Sequence, residues 1–488
     1  MSEEEIIAQR KEKLERLRQR GIDPYPPRAE RTHTAQEALD LLGDTSEASD
    51  EVSVAGRITA MRNMGKASFL DIRDSTNRIQ VYVKKESVGA DAYDLLKNFD
   101  IGDFLGVTGT LFRTKTNEPT VEAQTFTLLA KSLRAPPEKW HGVQDVETRY
   151  RQRYLDLMAN EEVHKNFVVR SRVISAIRRF LDSRGYVEVE TPILQASAGG
   201  AAARPFITHH NALDRDFYLR IAIELYLKRL VIGGFDKVYE LGRIFRNEGV
   251  TTKYNPEFTM LETYEAYADY NAVMEMVEEM VSSVALEVLG TTKVPYGDYV
   301  IDLKPPWPRI TMRDAIRERC GVDFEEHQDL DSIRKAAAGA DVHIEESWGR
   351  GKIIDELVTV HVEPHLIQPT FLIDYPIELS PLAKRRPDNP RIVERFEFFI
   401  AGRECGNAYT ELNDPIDQRE RMVQQARLRA AGDDEVEIAD EDFLVALEYG
   451  MPPTGGLGIG IDRLIMALTG KSSIREVILF PALRERTE

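Results

Sequence analysis

Between residues 51 and 130, apolar and polar positions alternate in five short runs: VSVAGRI, ASFLDIR, RIQVYV, DFLGVTGTL and TVEAQTFTLL. A period of two is that of a half-buried strand. DSTN (74–77) and TKTNEP (114–119) punctuate the runs as turns. Five short strands so closely spaced predict a small barrel. In ASFLDIR the inward side chains are Leu70 and Ile72, which leaves Phe69 on the polar face with Asp71 and Arg73. In RIQVYV the alternation turns Ile79, Val81 and Val83 inward and Gln80 and Tyr82 outward. An aromatic beside Arg62, Arg73 and Gln80 suits stacking of single-stranded bases; an ordinary exposed Phe accounts for it equally well.

Ahead of the barrel, acidic Glu3–Glu5 precede Arg10, Lys11, Lys13, Arg16, Arg18 and Arg20. This order suits a helix dipole, and the helix is either solvated or turned towards phosphates. GIDPYPP (21–27) ends it. The pattern divides the chain into a helical extension (1–50), the barrel (51–135), a linker running into a basic helix (136–155) and a larger domain (156–488). In that domain strands and helices do not alternate regularly. An antiparallel sheet packed with helices is expected, with a helical insertion at about 310–365, so the whole chain is α+β.

Composition narrows the function classes. Across 488 residues, 64 basic and 82 acidic side chains leave a net charge of −18. Indiscriminate nucleic-acid binding is excluded, but local basic patches are not. Cys320 and Cys405 have no metal-site spacing and fit a reducing compartment. MSEEEII lacks a signal-peptide core and no apolar run approaches ~18 residues, so a cytoplasmic protein with no membrane span is expected. GKSS (470–473) fails as a phosphate loop because Ile465 stands where a glycine is required. GLGIG (456–460) fails as a dinucleotide fingerprint because Ile461 occupies the third glycine position. His209 and His210 are adjacent and face opposite ways on a strand, which argues against a metal pair.

Two hairpin patterns carry the chemistry. In FRNEGVTTKYNPEFTMLETY (245–264), Arg246 and Glu248 share one face of the first strand, and Phe258, Met260, Glu262 and Tyr264 share one face of the second. Closed at 249–256, they form a polar floor with a stacking platform. In RFEFFIAGRECGNAYTELND (395–414) the turn falls at Ala401-Gly402, and Asn407, Tyr409 and Glu411 alternate onto one face. Glu397 and Glu404 lie on the two arms. Two such carboxylates beside a phosphate are a usual way to hold Mg²⁺. GGLGIGIDRLIMALTG (455–470) is a glycine-rich strand leading into an apolar helix, with Arg463 near its start. Its glycines let a ligand lie against backbone.

These blocks resemble the three motifs of the class II aminoacyl-tRNA synthetases. FLDSRGYVEVETPIL (180–194), with Pro192, resembles the first, a dimer-interface helix and strand. The second and third are FRNEGVTTKYNPEFTMLE and GGLGIGIDRL. GGAAARPFITHHNALDRDFYLRIAIELYLKRL (199–230), YEAYADY and ELNDPIDQ are similar to the bacterial-type lysyl-tRNA synthetases, and the resemblance spans nearly the whole chain. It implies an anticodon-binding OB-fold barrel, with Arg62, Phe69 and Gln80 on the anticodon face. It also implies a homodimer that takes ATP, L-lysine and lysine tRNA, with Mg²⁺. By resemblance, Arg246 binds the α-phosphate and the lysine carboxylate. Glu248 accepts from the adenine amino group, Phe258 stacks on the ring, and Arg463 covers its other face. Lys253, Tyr254 and Asn255 belong to the ATP loop, and Glu397 and Glu404 to Mg²⁺. Glu224 and the Gly200 backbone meet the α-amino group. Glu262, Tyr264, Asn407, Tyr409 and Glu411 line the lysine pocket, with Glu411 and Tyr264 at the ε-ammonium. A buried ammonium requires such carboxylate and hydrogen-bond partners, whereas an aspartate pocket requires a cation, and none stands among these five residues. The chain departs from the family at Tyr254 (His expected), Thr263 (Leu) and Tyr409 (Phe). Two rivals are a ligase placing lysine on a protein and a non-catalytic RNA-binding relative. The barrel weighs against the first, and the intact set of Arg246, Glu248, Glu397, Glu404 and Arg463 against the second.

Overall fold

The computed structural model describes residues 2–45, 47–137, 143–197, 199–201, 203–430 and 440–485, without side chains at 47–50 and 426–430. Positions 138–142 of the expected linker lie outside the described residues. The chain divides into two compact units, Met1–Gln144 and Asp145–Glu488.

The first unit opens with the helix Glu3–Gln19, begun by a capping box in which the Ser2 hydroxyl accepts from the Glu5 amide and the Glu5 carboxylate accepts from Ser2. Its basic residues serve the unit itself. Arg10 is buried and donates to the carbonyls of Ile101, Ser132 and Arg134. Lys13 pairs with Asp100 at 2.6 Å, Arg16 donates to Asn98 and Arg20 pairs with Asp94. Most of the basic stripe is therefore engaged by protein groups. Five strands follow: β1 (Glu47–Asn63), β2 (Ala67–Arg73), β3 (Arg78–Lys84), β4 (Phe104–Arg113) and β5 (Pro119–Ala130). They close a barrel in the order β1-β2-β3-β5-β4 around Val52, Val54, Leu70, Ile72, Ile79, Val81 and Val83. β1 starts at Glu47, inside the segment assigned to the extension.

In the second unit the strands are β6 (Val187–Glu188), β7 (Leu194–Gln195), β8 (Ile207–His210), β9 (Arg215–Leu219), β10 (Lys237–Phe245), β11 (Glu257–Ala266), β12 (Lys293–Tyr296), β13 (Tyr299–Asp302), β14 (Arg309–Thr311), β15 (Thr370–Pro376), β16 (Ile392–Ile400), β17 (Arg403–Thr410) and β18 (Thr454–Gly460). Eight of them form one sheet, β14-β15-β16-β17-β18-β11-β10-β6. Its two outermost pairs are parallel and the others antiparallel. Phe396, Phe398, Leu457 and Ile459 share one core with the helices Glu161–Ser183, Tyr270–Leu289 and Ile461–Thr469. Because alternate residues point to opposite faces, this burial leaves Glu397, Gly456 and Gly458 on the other face, where the candidate site lies. Between β14 and β15, the helices Met312–Cys320, Leu330–Gly339 and Arg350–His361 form the helical insertion with its own apolar cluster. No described helix is long and apolar enough to cross a membrane.

Candidate active site

The floor of the site is a set of register rows across four strands. Glu397 of β16 pairs with Asn407 of β17, Asn407 with Gly458 of β18, and Gly458 with Glu262 of β11. The next row runs Arg395, Tyr409, Gly456, Tyr264. β18 thus turns only glycines into the middle of the site while its Leu457 and Ile459 are buried in the core. Gly456 has a second role. A Cβ there would overlap the Glu411 carboxylate and crowd the Tyr264 ring.

The β16–β17 hairpin turns at Ala401-Gly402, both with positive φ (56° and 70°). A bulge follows: Phe398 pairs with Gly406, but Phe399 pairs with Glu404. The extra residue changes the side-chain parity of β17. Glu404 thereby joins Asn407 and Tyr409 on the site face, and Cys405 turns into the core. Strict alternation would have sent Glu404 the other way. In the β10–β11 hairpin the first strand stops at Phe245, so Arg246 and Glu248 sit in the loop rather than on the strand, with the Arg246 amide donating to the Pro256 carbonyl. Glu248 is exposed. The Arg246 guanidinium lies 5.3 Å from the Phe258 ring centroid and donates to the Ile221 carbonyl. Burial lowers its pKa, while Glu248 and Glu404 oppose that shift. Arg463, at the start of its helix, donates to the Glu404 carbonyl at 3.0 Å and to its carboxylate at 2.8 Å. Tyr254, 45% exposed, places its ring centroid 5.5 Å from the Arg463 guanidinium. Lys253 is exposed in the same loop.

Asn255 lies in this loop too. It is buried, donates to the Glu257 carbonyl and accepts from the Ala482 amide, so it braces the loop. Asp462 was not foreseen. Buried, it accepts from the Thr259 amide of β11 and pairs with Arg170 at 2.5 Å, tying the third block to the second. The only sequence signal is its place beside Arg463.

Glu397 accepts from Arg395 at 2.7 Å, and burial together with neighbouring Glu404 pushes its carboxyl up to about 8. Burial and Glu404 also push Glu363 of the insertion up to about 7, and burial raises Asp355. No periodicity marked these two. Crowded, desolvated carboxyls of this kind gain from a cation. Among the described residues no three acidic, His or Cys side chains are grouped as a complete metal site. Glu397 and Glu404 fit Mg²⁺ as two carboxylates whose other ligands come from phosphate and water.

The pocket beside this region brings together all the residues assigned to lysine. Glu262 accepts from the Ile223 amide at 3.0 Å and from the Tyr264 hydroxyl at 3.2 Å, and burial with Glu224 nearby pushes it up to about 7. Tyr409 donates to Glu224 at 2.7 Å, which gives its hydroxyl, absent from Phe, a definite use. Gly200 has φ +83°, and a Cβ there would approach Glu224 Cβ to 3.4 Å. Thr263 faces away from the pocket, opposite Leu457. Sequence reasoning missed Lys228, which is fully buried. Its Nζ lies 2.5 Å from both Glu224 and Glu411, although no cation stands among the five residues named for the pocket.

On the barrel, Phe69 stacks on Tyr82 with centroids 4.5 Å apart, and Phe112 lies 6.1 Å further on. Arg62 pairs with Phe69 in register and is exposed. Gln80 lies one row along the same sheet face, opposite Asp71, but is not exposed as the alternation predicted. It is buried and accepts from the Thr120 hydroxyl at 3.0 Å, held in a row with Asp71 and Thr120. Tyr82 and Phe112 extend the aromatic row beside it.

Residues 145–484 match the family model for tRNA synthetases class II (D, K and N), and residues 52–129 match that for an OB-fold nucleic acid binding domain. The chain belongs to the class II tRNA synthetases (D, K and N). Over its full length it is 56% identical to the lysine–tRNA ligase of Moorella thermoacetica, covering 99% of that protein. It is 55% identical to the lysine–tRNA ligase of Bacillus subtilis, over 98% of this chain and 97% of that one.

Gly456→Ala is expected to displace Glu411 and to lower stability by about 1–3 kcal/mol, the usual cost of overpacking, as read by urea unfolding. Gly458→Ala, whose Cβ meets nothing closer than 3.6 Å, is the control and should change stability far less.

Proposed function

We propose that the chain is a lysine–tRNA ligase. The observation that carries this reading is the pocket, where three buried carboxylates, Glu224, Glu262 and Glu411, face one another beside Tyr264 and Tyr409. Such a pocket needs a cationic occupant, because an excess of buried negative charge is otherwise costly. Lysine brings two ammonium groups. A carboxylate-bearing side chain would add charge of the wrong sign.

The reaction has two steps. The lysine carboxylate attacks the ATP α-phosphorus and pyrophosphate leaves. The terminal ribose hydroxyl of the tRNA then attacks the adenylate carbonyl and AMP leaves. Arg246, at the end of β10, holds the α-phosphate and the amino-acid carboxylate together and stabilises the charge that develops between them. Phe258 and Arg463 offer a face each to the adenine, so the Tyr254 ring gives way when ATP enters. Glu248 accepts from the adenine amino group, and Lys253 meets a phosphate. Glu224 and the backbone at Gly200 hold the α-ammonium, and Glu411 with Tyr264 holds the ε-ammonium. Glu397 and Glu404 would hold Mg²⁺, which would supply neutralisation of phosphate charge. On the barrel, Arg62, Phe69, Tyr82 and Phe112 form the anticodon face. The chain works in the cytoplasm as a homodimer. The dimer is supported by Val187, Ile193, Leu194 and Ile207, apolar residues that are 44–63% exposed around Pro192.

ATP–pyrophosphate exchange with a panel of amino acids tests the reading, and lysine alone should support turnover. Glu411→Ala should abolish lysine-dependent exchange at saturating ATP, because losing a buried charged partner costs about 2–5 kcal/mol. A near-normal lysine KM and kcat would refute the pocket assignment. Phe69→Ala should raise the KM for lysine tRNA by a factor matching about 1–3 kcal/mol of stacking and leave exchange unchanged. Equal damage to both reactions would remove the barrel face from tRNA recognition. Sedimentation equilibrium should return a dimer at micromolar concentration, and an active monomer would contradict it.

A further inference from the structure

Lys228 lies one turn beyond Glu224 on the helix Glu224–Ile232 and is completely buried. Its ammonium bridges two chain segments, 2.5 Å from Glu224 Oε1 on its own helix and 2.5 Å from Glu411 Oε2 just past β17. The rings of Tyr409 and Phe443 lie 5.7 and 5.8 Å from it. The carboxylate oxygens of the pocket can be followed one by one. Glu224 Oε1 meets Lys228 and Oε2 accepts from Tyr409. Glu262 Oε1 accepts from the Ile223 amide and Oε2 from Tyr264. Neither buried Glu411 oxygen has a hydrogen-bond partner among the described residues, but Oε2 forms the ion pair with Lys228. Oε1 of Glu411 is therefore the one oxygen of these six with neither a hydrogen bond nor an ion pair among the described residues. The charges follow the same pattern: with all three carboxyls ionised, the internal ammonium leaves two negative charges, and the free amino acid lysine carries two ammonium groups.

We propose that Lys228 is a specificity-determining residue. Its ammonium ties Glu224 to Glu411, reserves one buried oxygen of Glu411 for the side-chain ammonium of the substrate, and limits the pocket to the charge that a dicationic amino acid neutralises. This rests on the reading of the chain as a lysine ligase. Lys228 acts through the two glutamates and is a positioning residue, not a reacting one. The groups facing Glu411 are Lys228, Glu224, Glu262, Tyr264 and Tyr409. Burial pushes the Glu411 carboxyl up, Lys228 opposes the shift, and Glu224 and Glu262 add to it. Without Lys228 nothing cationic restrains that carboxyl until substrate arrives.

The experiment is lysine-dependent ATP–pyrophosphate exchange by the full chain and by Lys228→Met, from about pH 6.5 to about pH 9, with the wild type carrying the titration of the amino acid itself. Relative to wild type, the variant's lysine KM should rise about 30-fold or more near neutrality, as expected for truncating one partner of a buried charge pair. It should recover by about tenfold or more towards pH 9, as Glu411 ionises. The KM for ATP should stay within about threefold. Lys228→Gln removes the charge but keeps a donor, and it should show the same pH-dependent defect; it also serves where Lys228→Met is insoluble. An unchanged lysine KM, a rise of equal size at every pH, or an equal rise for ATP overturns the proposal. Absence of lysine-dependent exchange in the wild type overturns the substrate reading, and this inference with it.

Discussion

Everything at the site depends on one strand of glycines lying in register between two strands of functional side chains. β18 carries glycine on alternate positions towards the ligand and Leu457 and Ile459 towards the core. Pairing with β17 on one side and β11 on the other places Asn407 and Tyr409 across from Glu262 and Tyr264, with backbone between them. A one-residue slip would reverse every one of these faces. The core side prevents the slip, because it would drive Leu457 and Ile459 into the site. The packing of the helix Tyr270–Leu289 against the back of the sheet is thus what holds the front in place.

On that floor the protein crowds like charges and uses neighbouring cations to hold them. At the nucleotide end, Arg395 holds Glu397, and Arg463 holds Glu404. Arg463 remains charged because Glu404 and Tyr254 outweigh the burial that would lower its pKa. At the amino-acid end, Lys228 lies between Glu224 and Glu411. These internal pairs make the carboxylates tolerable before any ligand arrives. They also leave each one oriented, so that binding does not have to reorganise it.

The barrel follows a different logic. Its interior is a simple alternation of β-branched and aliphatic side chains, and its outer face carries an aromatic row. Phe69, Tyr82 and Phe112 stand on neighbouring or near strands and pack on one another. The helix ahead of it spends Arg10, Lys13, Arg16 and Arg20 on carbonyls and acids of its own unit. A basic stripe read along the chain is therefore a poor guide to phosphate binding when the acids that complement it lie far away in sequence.

The sequence by itself determined the strands of the barrel, the turn at Ala401-Gly402, the glycine strand and most of the residues that the fold brings together at the candidate site. Each of these is written in local periodicity or in residues that only a turn or a close approach requires. The roles proposed for the site residues come from the family motifs. Tertiary structure decided the rest. The bulge opposite Phe399 chose the face of Glu404, because an inserted residue changes parity without leaving a mark in composition. The end of β10 at Phe245 moved Arg246 and Glu248 into a loop. Gln80 is a polar residue that local alternation leaves at the surface, and its burial beside Thr120, like the bond from the Ala482 amide to Asn255, comes from partners far away in sequence. Lys228 reads as one more charged residue on a helix. Only the fold, by bringing Glu411 from almost two hundred residues away, made it the buried cation of the pocket, because burial and charge pairing are properties of neighbours in space.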